Sequence, residues 1–184
     1  MDNIADENKS NYAGIISRLI AYFIDCLLLF AGLLVWQAII YFLNLNPIVR
    51  IMNSGGQPAS WQIHLWVLLT ASLPFLIYFA VMQSSKKQAT IGMRLLKIKV
   101  TDLEDQRISF GTAILRSIIM LIPFEINHAI MFHLASFDSP PTLTYWIASV
   151  FVWILMIAYL AGILLTKRSQ SIHDIFAETV VRRG

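Results

Sequence analysis

LIAYFIDCLLLFAGLLVWQAIIYFL, residues 19 to 43, carries one charged side chain, Asp25, in a run that is apolar and aromatic apart from Gln37. A helix needs roughly 20 residues to cross about 30 Å of hydrocarbon, and this run is long enough. Three more stretches of the same kind follow, Trp61 to Met82, Ala113 to Leu134 and Tyr145 to Leu165. None alternates with the two-residue period of a barrel strand, so each is predicted as a helix. The composition agrees: 57% of residues are apolar, 14% charged, and the mean hydropathy is +0.65, against roughly 25% charged in an ordinary soluble domain. These figures exclude a disordered chain, and a net charge of +3 is too small for a protein that grips nucleic acid. The expected fold is an all-α integral membrane protein with four transmembrane helices. A polar tail over residues 1–17, a membrane domain over 18–181 and a basic end over 182–184 are its expected parts.

The polar start, with Asp2, Asp6 and Glu7 against Lys9, has the wrong charge sign for a signal peptide, so the first apolar run is expected to stay as an anchor. Cys26 stands alone and reads as a buried thiol. Turn-rich breaks fall at Pro47, Gly55-Gly56 and Pro58, and again from Asp138 to Thr144 around Pro140-Pro141. With four spans both termini share a side, and of the 14 basic residues only Arg50 then falls on the other. The positive-inside rule makes that side cytoplasmic, in a multi-pass inner or plasma membrane. Trp61 and Trp146 sit at the outer ends of their spans, as an aromatic belt requires.

The connection from Ser84 to Thr112 is patterned. Gln88 to Leu96 is predicted as a short interfacial helix, and Lys97 to Val100 alternates like one strand of a hairpin. Ser109 is the expected N-cap of the third span. In the tail Ser171 and Asp174 have capping-box spacing ahead of an amphipathic turn. Both pieces are expected on the inner membrane surface, where their basic residues suit anionic lipids.

Charges inside the spans point to function. Asp25 lies roughly 9 Å into the first span at 1.5 Å per residue, and Arg18, seven residues earlier, returns to nearly the same face. An acid at a helix centre costs roughly 2.5–3.5 kcal/mol, so something must offset Asp25: a proton or cation, or an ion pair that fixes helix packing. In the third span Arg116 is followed by Pro123, Glu125, Asn127 and His128, with Glu125 and His128 on one face. Pro123 and Pro74 free the carbonyls of Ile119 and Thr70. A polar pocket between helices follows, or else helix contacts without transport. His64 and His133 read as interfacial or loop residues, and Ala158 with Gly162 as a small-residue helix contact. RLIAYFID and RSIIMLIPFE, each an arginine followed by an acid, suggest a two-helix unit repeated in parallel. No nucleotide loop, nucleophile elbow, zinc helix or cysteine pair is present in the sequence, so neither enzyme activity nor a metal or cofactor is expected.

Arg18 to Asp25, QATIGMRLLKIKVTD from Gln88 to Asp102, Ser109-Phe110 with Arg116, and RSQSIHDIFAETVV from Arg168 to Val181 together resemble the RDD family of membrane proteins. That family is named for an arginine at the start of its first helix, an aspartate within it and a further aspartate. Arg18 and Asp25 carry over, and the second aspartate is Asp102 or Asp174. Gly92-Met93-Arg94 stands where members commonly have Gly-Lys-Arg, and Glu104-Asp105-Gln106 where they have a glycine turn. The resemblance implies a transporter, with cation/proton antiport associated with some members. The expected function is a secondary transporter of the proton-coupled monovalent-cation antiport type, working as a homo-oligomer. Asp25, with Glu125 and His128, forms the expected pathway, Arg18 and Arg116 its mouth, and Asp102, Asp174 and Arg94 with Arg18 a cytoplasmic clasp. The competing readings are a scaffold without transport and an exporter of small organic solutes.

Overall fold

The computed structural model describes residues 11–134 and 142–184. The charges of the first ten positions, and Asp138 with the Pro140-Pro141 turn, lie outside the described residues. In chain order the elements are α1 (Ile15–Phe42), a short α2 (Pro47–Asn53), α3 (Ser60–Gln83), α4 (Ile91–Leu95), β1 (Ile98–Asp102), α5 (Phe110–His133), α6 (Leu143–Leu165), α7 (Ile172–Phe176) and β2 (Thr179–Arg183). Helices α1, α3, α5 and α6 are long and apolar enough to cross a membrane. All four begin before their apolar runs, which takes Arg18 into the opening turn of α1. Caps account for several starts: Asn46 accepts from the Ile48 and Val49 amides ahead of Pro47, Ser109 from Thr112 at 3.0 Å, and Thr142 from Tyr145 at 3.2 Å.

The bundle keeps its apolar surface outside. Phe23, Phe30, Trp153 and Ile154 are more than half exposed, as a protein solvated by hydrocarbon requires. Dense packing sits at the end that carries Arg18 and Arg116, called here the basic end. There Ala13, Ala21, Ala80, Ala89, Val100, Ala113 and Val181 are buried together, because the connection after α3 and the tail after α6 fold back onto the helix ends. A second cluster, Phe79, Met120 and Leu121 with Tyr22 stacked on Phe79 at 5.8 Å, fills the bundle above them.

Two irregularities mark the interior. Leu68–Ser72 of α3 is a π-helical turn just before Pro74, where Thr70 donates to the Trp66 carbonyl and accepts from Gln37. In α5 the carbonyl of Ile119, left free by Pro123, accepts the Tyr159 hydroxyl at 2.7 Å. The freed group is therefore satisfied from the neighbouring helix.

The strand at Ile98–Asp102 has no hairpin partner in its own connection. It pairs antiparallel with β2 of the tail, Val100 opposite Val181, and the segment around Tyr12 adds along the far side of β2. This pairing displays an internal repeat. Gln88 and Ser169 are both left-handed, Thr90 and Ser171 both cap five-residue helices, Lys97 and Glu178 are both left-handed, and two five-residue strands follow. The offset between partners is constant, and Val100 and Val181 are equivalent positions facing each other, so a pseudo-twofold axis passes between them. Each unit is two membrane helices, a short helix and a strand, the first unit also carrying α2 between its membrane helices. Two units of the same sense are what a parallel repeat produces. The expected match between the acids of the first and third spans is not part of it, since the seven residues from Arg18 to Asp25 lead from Arg116 to Pro123 rather than to Glu125.

Candidate functional site

Asp25 projects from α1 toward α4 and is 1% exposed. One carboxylate oxygen accepts from the Tyr78 hydroxyl at 2.7 Å and the Gly92 amide at 2.8 Å, the other from the Thr90 hydroxyl at 2.5 Å. Thr90 in turn caps α4 by accepting from the Met93 amide, and the Tyr78 oxygen accepts from the Ile91 amide. All three donors to Asp25 are neutral. The approach is close enough that a Cβ on Gly92 would stand 2.1 Å from the Ala21 carbonyl oxygen, so only glycine lets α4 lie against α1. Tyr78, Thr90 and Gly92 were not legible as a set, because their common partner is remote in sequence.

Arg18 does not meet Asp25, contrary to the helical-face expectation. Its side chain runs back toward the tail, donating from Nε to the Ala13 carbonyl at 3.0 Å and from Nη1 to Asp174 at 2.6 Å. Arg116 donates to the other oxygen of Asp174 from Nε at 2.9 Å and Nη2 at 2.7 Å, and to Gln83 from Nη1 at 2.7 Å. Asp174 is 0% exposed and also accepts from the Ser171 amide. Two arginines from two spans therefore converge on one tail carboxylate, an arrangement that holds α7 against the bundle. Asp102 takes no part in this clasp: it caps the following turn, accepting from the Glu104 and Gln106 amides at 3.0 and 2.7 Å. Asp105 in that turn is left-handed, taking a conformation that favours glycine. Arg94 is also outside the clasp, since it folds back on its own helix start to donate to the Ala89 carbonyl. Gly162 serves the tail rather than a helix pair, because a Cβ there would meet the Gln170 carbonyl oxygen at 3.0 Å.

Burial would raise the Asp174 carboxyl, but Arg116, His173 and Arg18 outweigh it and hold it well below the usual range. Burial pushes His173 from its ordinary 6.5 down to about 3, with Arg116 and Arg18 adding to the fall against the pull of Asp174. Between those two values the unfolded chain binds the proton at position 173 and the folded chain does not. Stability therefore falls as pH drops below about 6.5, and Asp174 adds to the loss below the ordinary carboxylate value near 3.8. Thermal unfolding of the detergent-solubilised protein should show a lower midpoint at pH 5 than at pH 7, and His173→Gln should flatten that difference.

Glu125 belongs to a different cluster, toward the opposite end of α5. It accepts from the Ser72 hydroxyl of the π-helical turn, with His128 Nδ1 at 3.4 Å and His64 Nε2 at 3.8 Å. His64 Nδ1 lies 3.3 Å from His133 Nε2. His64 and His133 are therefore helix residues that line up with Glu125, not loop residues. Among the described residues Glu125 and Asp25 share no hydrogen-bond partner. Among the described residues no three His, Cys, Asp or Glu side chains form a group that could hold a metal ion.

Between the helices at the basic end is a cavity of about 250 Å³. Its floor includes Arg18, Gln83, Arg116 and His173, Asp25 lies on its wall, and Met120, Phe124 and Met156 make up part of its apolar lining. The family model of the RDD family matches residues 12–178. The chain belongs to the RDD family. No curated protein and no solved structure shows a match to it. In this RDD protein the arginine and the first aspartate that the family is named for serve two separate docking points. Asp25 receives α4, and Arg18, with Arg116, receives α7 through Asp174. Of the two candidates for the second aspartate, Asp174 alone touches Arg18. The match and the four apolar helices identify a multi-pass membrane protein.

Proposed function

We propose that this RDD protein is a small proton-coupled secondary transporter in which Asp25 carries the proton and the cavity beside it receives the solute. One observation carries the reading: a carboxylate within a membrane span, without a basic partner among the described residues, on the wall of a cavity between the helices. Intramembrane acids are expensive and mark ion or proton pathways. The donor set also supplies a coupling. Hydroxyls of Thr90 and Tyr78 can turn when Asp25 is protonated, but the Gly92 amide cannot, so protonation weakens the grip on α4 and, through β1 and β2, on the tail. The two pseudo-symmetric units provide halves that can rock about the cavity.

Two solute classes compete. A monovalent cation would need several oxygens beside Asp25, whose own oxygens are already held by three donors. The largely apolar wall favours the other reading, a small organic solute. By the positive-inside rule the basic end faces the cytoplasm, both chain ends lie there beside anionic lipids, and Glu125 with its histidines lies in the opposite half. Four helices make a thin wall, so we assign the working form as a homo-oligomer.

The test is reconstitution in liposomes with an internal pH dye. Proton movement on addition of organic solute gradients, and at least a ten-fold loss in Asp25→Asn, is the expected result. Movement driven by Na+, K+ or Li+ instead returns the assignment to cation antiport. Unchanged flux in Asp25→Asn rejects Asp25 as the proton site, and silence under every gradient leaves the scaffold reading.

A further inference from the structure

Among the described residues four buried side-chain polar atoms make no hydrogen bond, and three of them belong to residues that line this one cavity: Arg18 Nη2, Gln83 Nε2 and His173 Nδ1. Arg18 is 8% exposed and Gln83 0%. Unsatisfied donors buried this deeply are rare in native proteins and call for a partner. Two are nitrogens that only donate, so the partner is an acceptor. Its charge follows from the surroundings. Arg18 and Arg116 face a single carboxylate, Asp174, and His173 is neutral near pH 7, which leaves one positive charge uncompensated at the floor. Asp25 lies on the same wall roughly 10 Å further along α1, so it does not share that end.

Most of the rest of the lining is apolar and adaptable. Met93, Met120 and Met156 stand beside Phe79 and Phe124, and methionine suits an irregular, flexible ligand. A volume of about 250 Å³ is below the roughly 300 Å³ at which pockets for drug-sized ligands begin. At about 30 Å³ per water it corresponds to some eight to ten heavy atoms. A two-chain phospholipid does not fit.

We propose that this cavity binds a single-limb amphiphile with an anionic, carboxylate-type head, the head on Arg18 and Gln83 at the floor and the apolar limb between the methionines and phenylalanines. This inference rests on reading the cavity as the solute chamber, and it is tested by binding alone. Labelled octanoate is the probe, added to the purified protein in nanodiscs of zwitterionic lipid. Saturable binding of one octanoate per chain is expected, with octanol and octylamine failing to compete. Met156→Trp, which adds bulk at a lining residue outside the clasp of Arg18, Arg116 and Asp174, should weaken binding at least ten-fold. Arg18→Lys, which keeps the charge and removes the free Nη2, should do the same in protein whose thermal midpoint shows that it is folded. Octanol competing as well as octanoate, or wild-type binding by Met156→Trp, overturns the proposal. Displacement by an anionic two-chain phospholipid overturns the single-limb assignment. Binding without any proton movement in liposomes keeps this site and rejects transport, whereas solute-driven proton movement without octanoate binding does the reverse.

Discussion

Asp174→Ala should cost about 3–5 kcal/mol, the loss typical of breaking one partner of a buried ion pair. The effect belongs at the top of that range, because one carboxylate serves two arginines, Arg18 at 2.6 Å and Arg116 at 2.7 Å. Removing it leaves two cations facing each other at the basic end and deletes the acceptor for the Ser171 amide. The tail should then leave the bundle, which limited proteolysis reads as new cleavage between Thr166 and Thr179 and a thermal scan reads as a lower midpoint. Arg18→Ala and Asp174→Ala share one interaction, so their double-mutant cycle should be non-additive by at least about 1 kcal/mol. Simple additivity, or an uncut tail in Asp174→Ala, removes the clasp as a stabilising element.

Gly92→Ala should be nearly as damaging for a steric reason. The added methyl would stand 2.1 Å from a backbone oxygen of Ala21, and neither backbone can yield without separating α4 from α1. Overpacking of this kind costs about 1–3 kcal/mol and more where no side chain can move aside. The displacement also withdraws the Gly92 amide and Thr90 hydroxyl from Asp25, so any proton-coupled flux should fall with stability. Gly32→Ala is the control. Nothing lies within 4 Å of a Cβ there, and losing a mid-helix glycine should leave the midpoint unchanged or raise it by about 0.5–1 kcal/mol equivalent. If Gly92→Ala matches that control, α4 is not held as described.

The four spans were legible because hydrocarbon imposes a length and a composition on each of them separately. The short helices were legible for a similar local reason: Thr90 and Ser171 sit before apolar turns. What was not legible depends on partners remote in the chain. Strand β1 shows alternation but nothing in residues 97–102 names Thr179–Arg183 as its partner, so a local hairpin was the natural reading. Arg18 and Asp25 share a helical face, yet Arg18 sits in the first turn of α1, where a long side chain can reach back to a tail carboxylate instead. The sequence suggests the repeat in the spans, where Asp25 and Glu125 look alike, whereas its clearest trace is in the connections. There several side chains differ, Gly92 against His173 and Met93 against Asp174, while Thr90 and Ser171, Ile91 and Ile172, and Val100 and Val181 keep their character alongside the backbone conformation. Comparing Gln88–Val100 with Ser169–Val181 would have exposed it.

The pairing of Val100 with Val181 sets an order of events during synthesis. Strand β1 is made after two membrane helices, but Thr179–Arg183 is not made until all four spans have been synthesised. Throughout that interval Ile98–Asp102 presents an unpaired strand edge, and Arg116 waits for its counter-charge. The first half therefore cannot mature on its own schedule, and a membrane insertase or chaperone that shields this edge has a defined window in which to act.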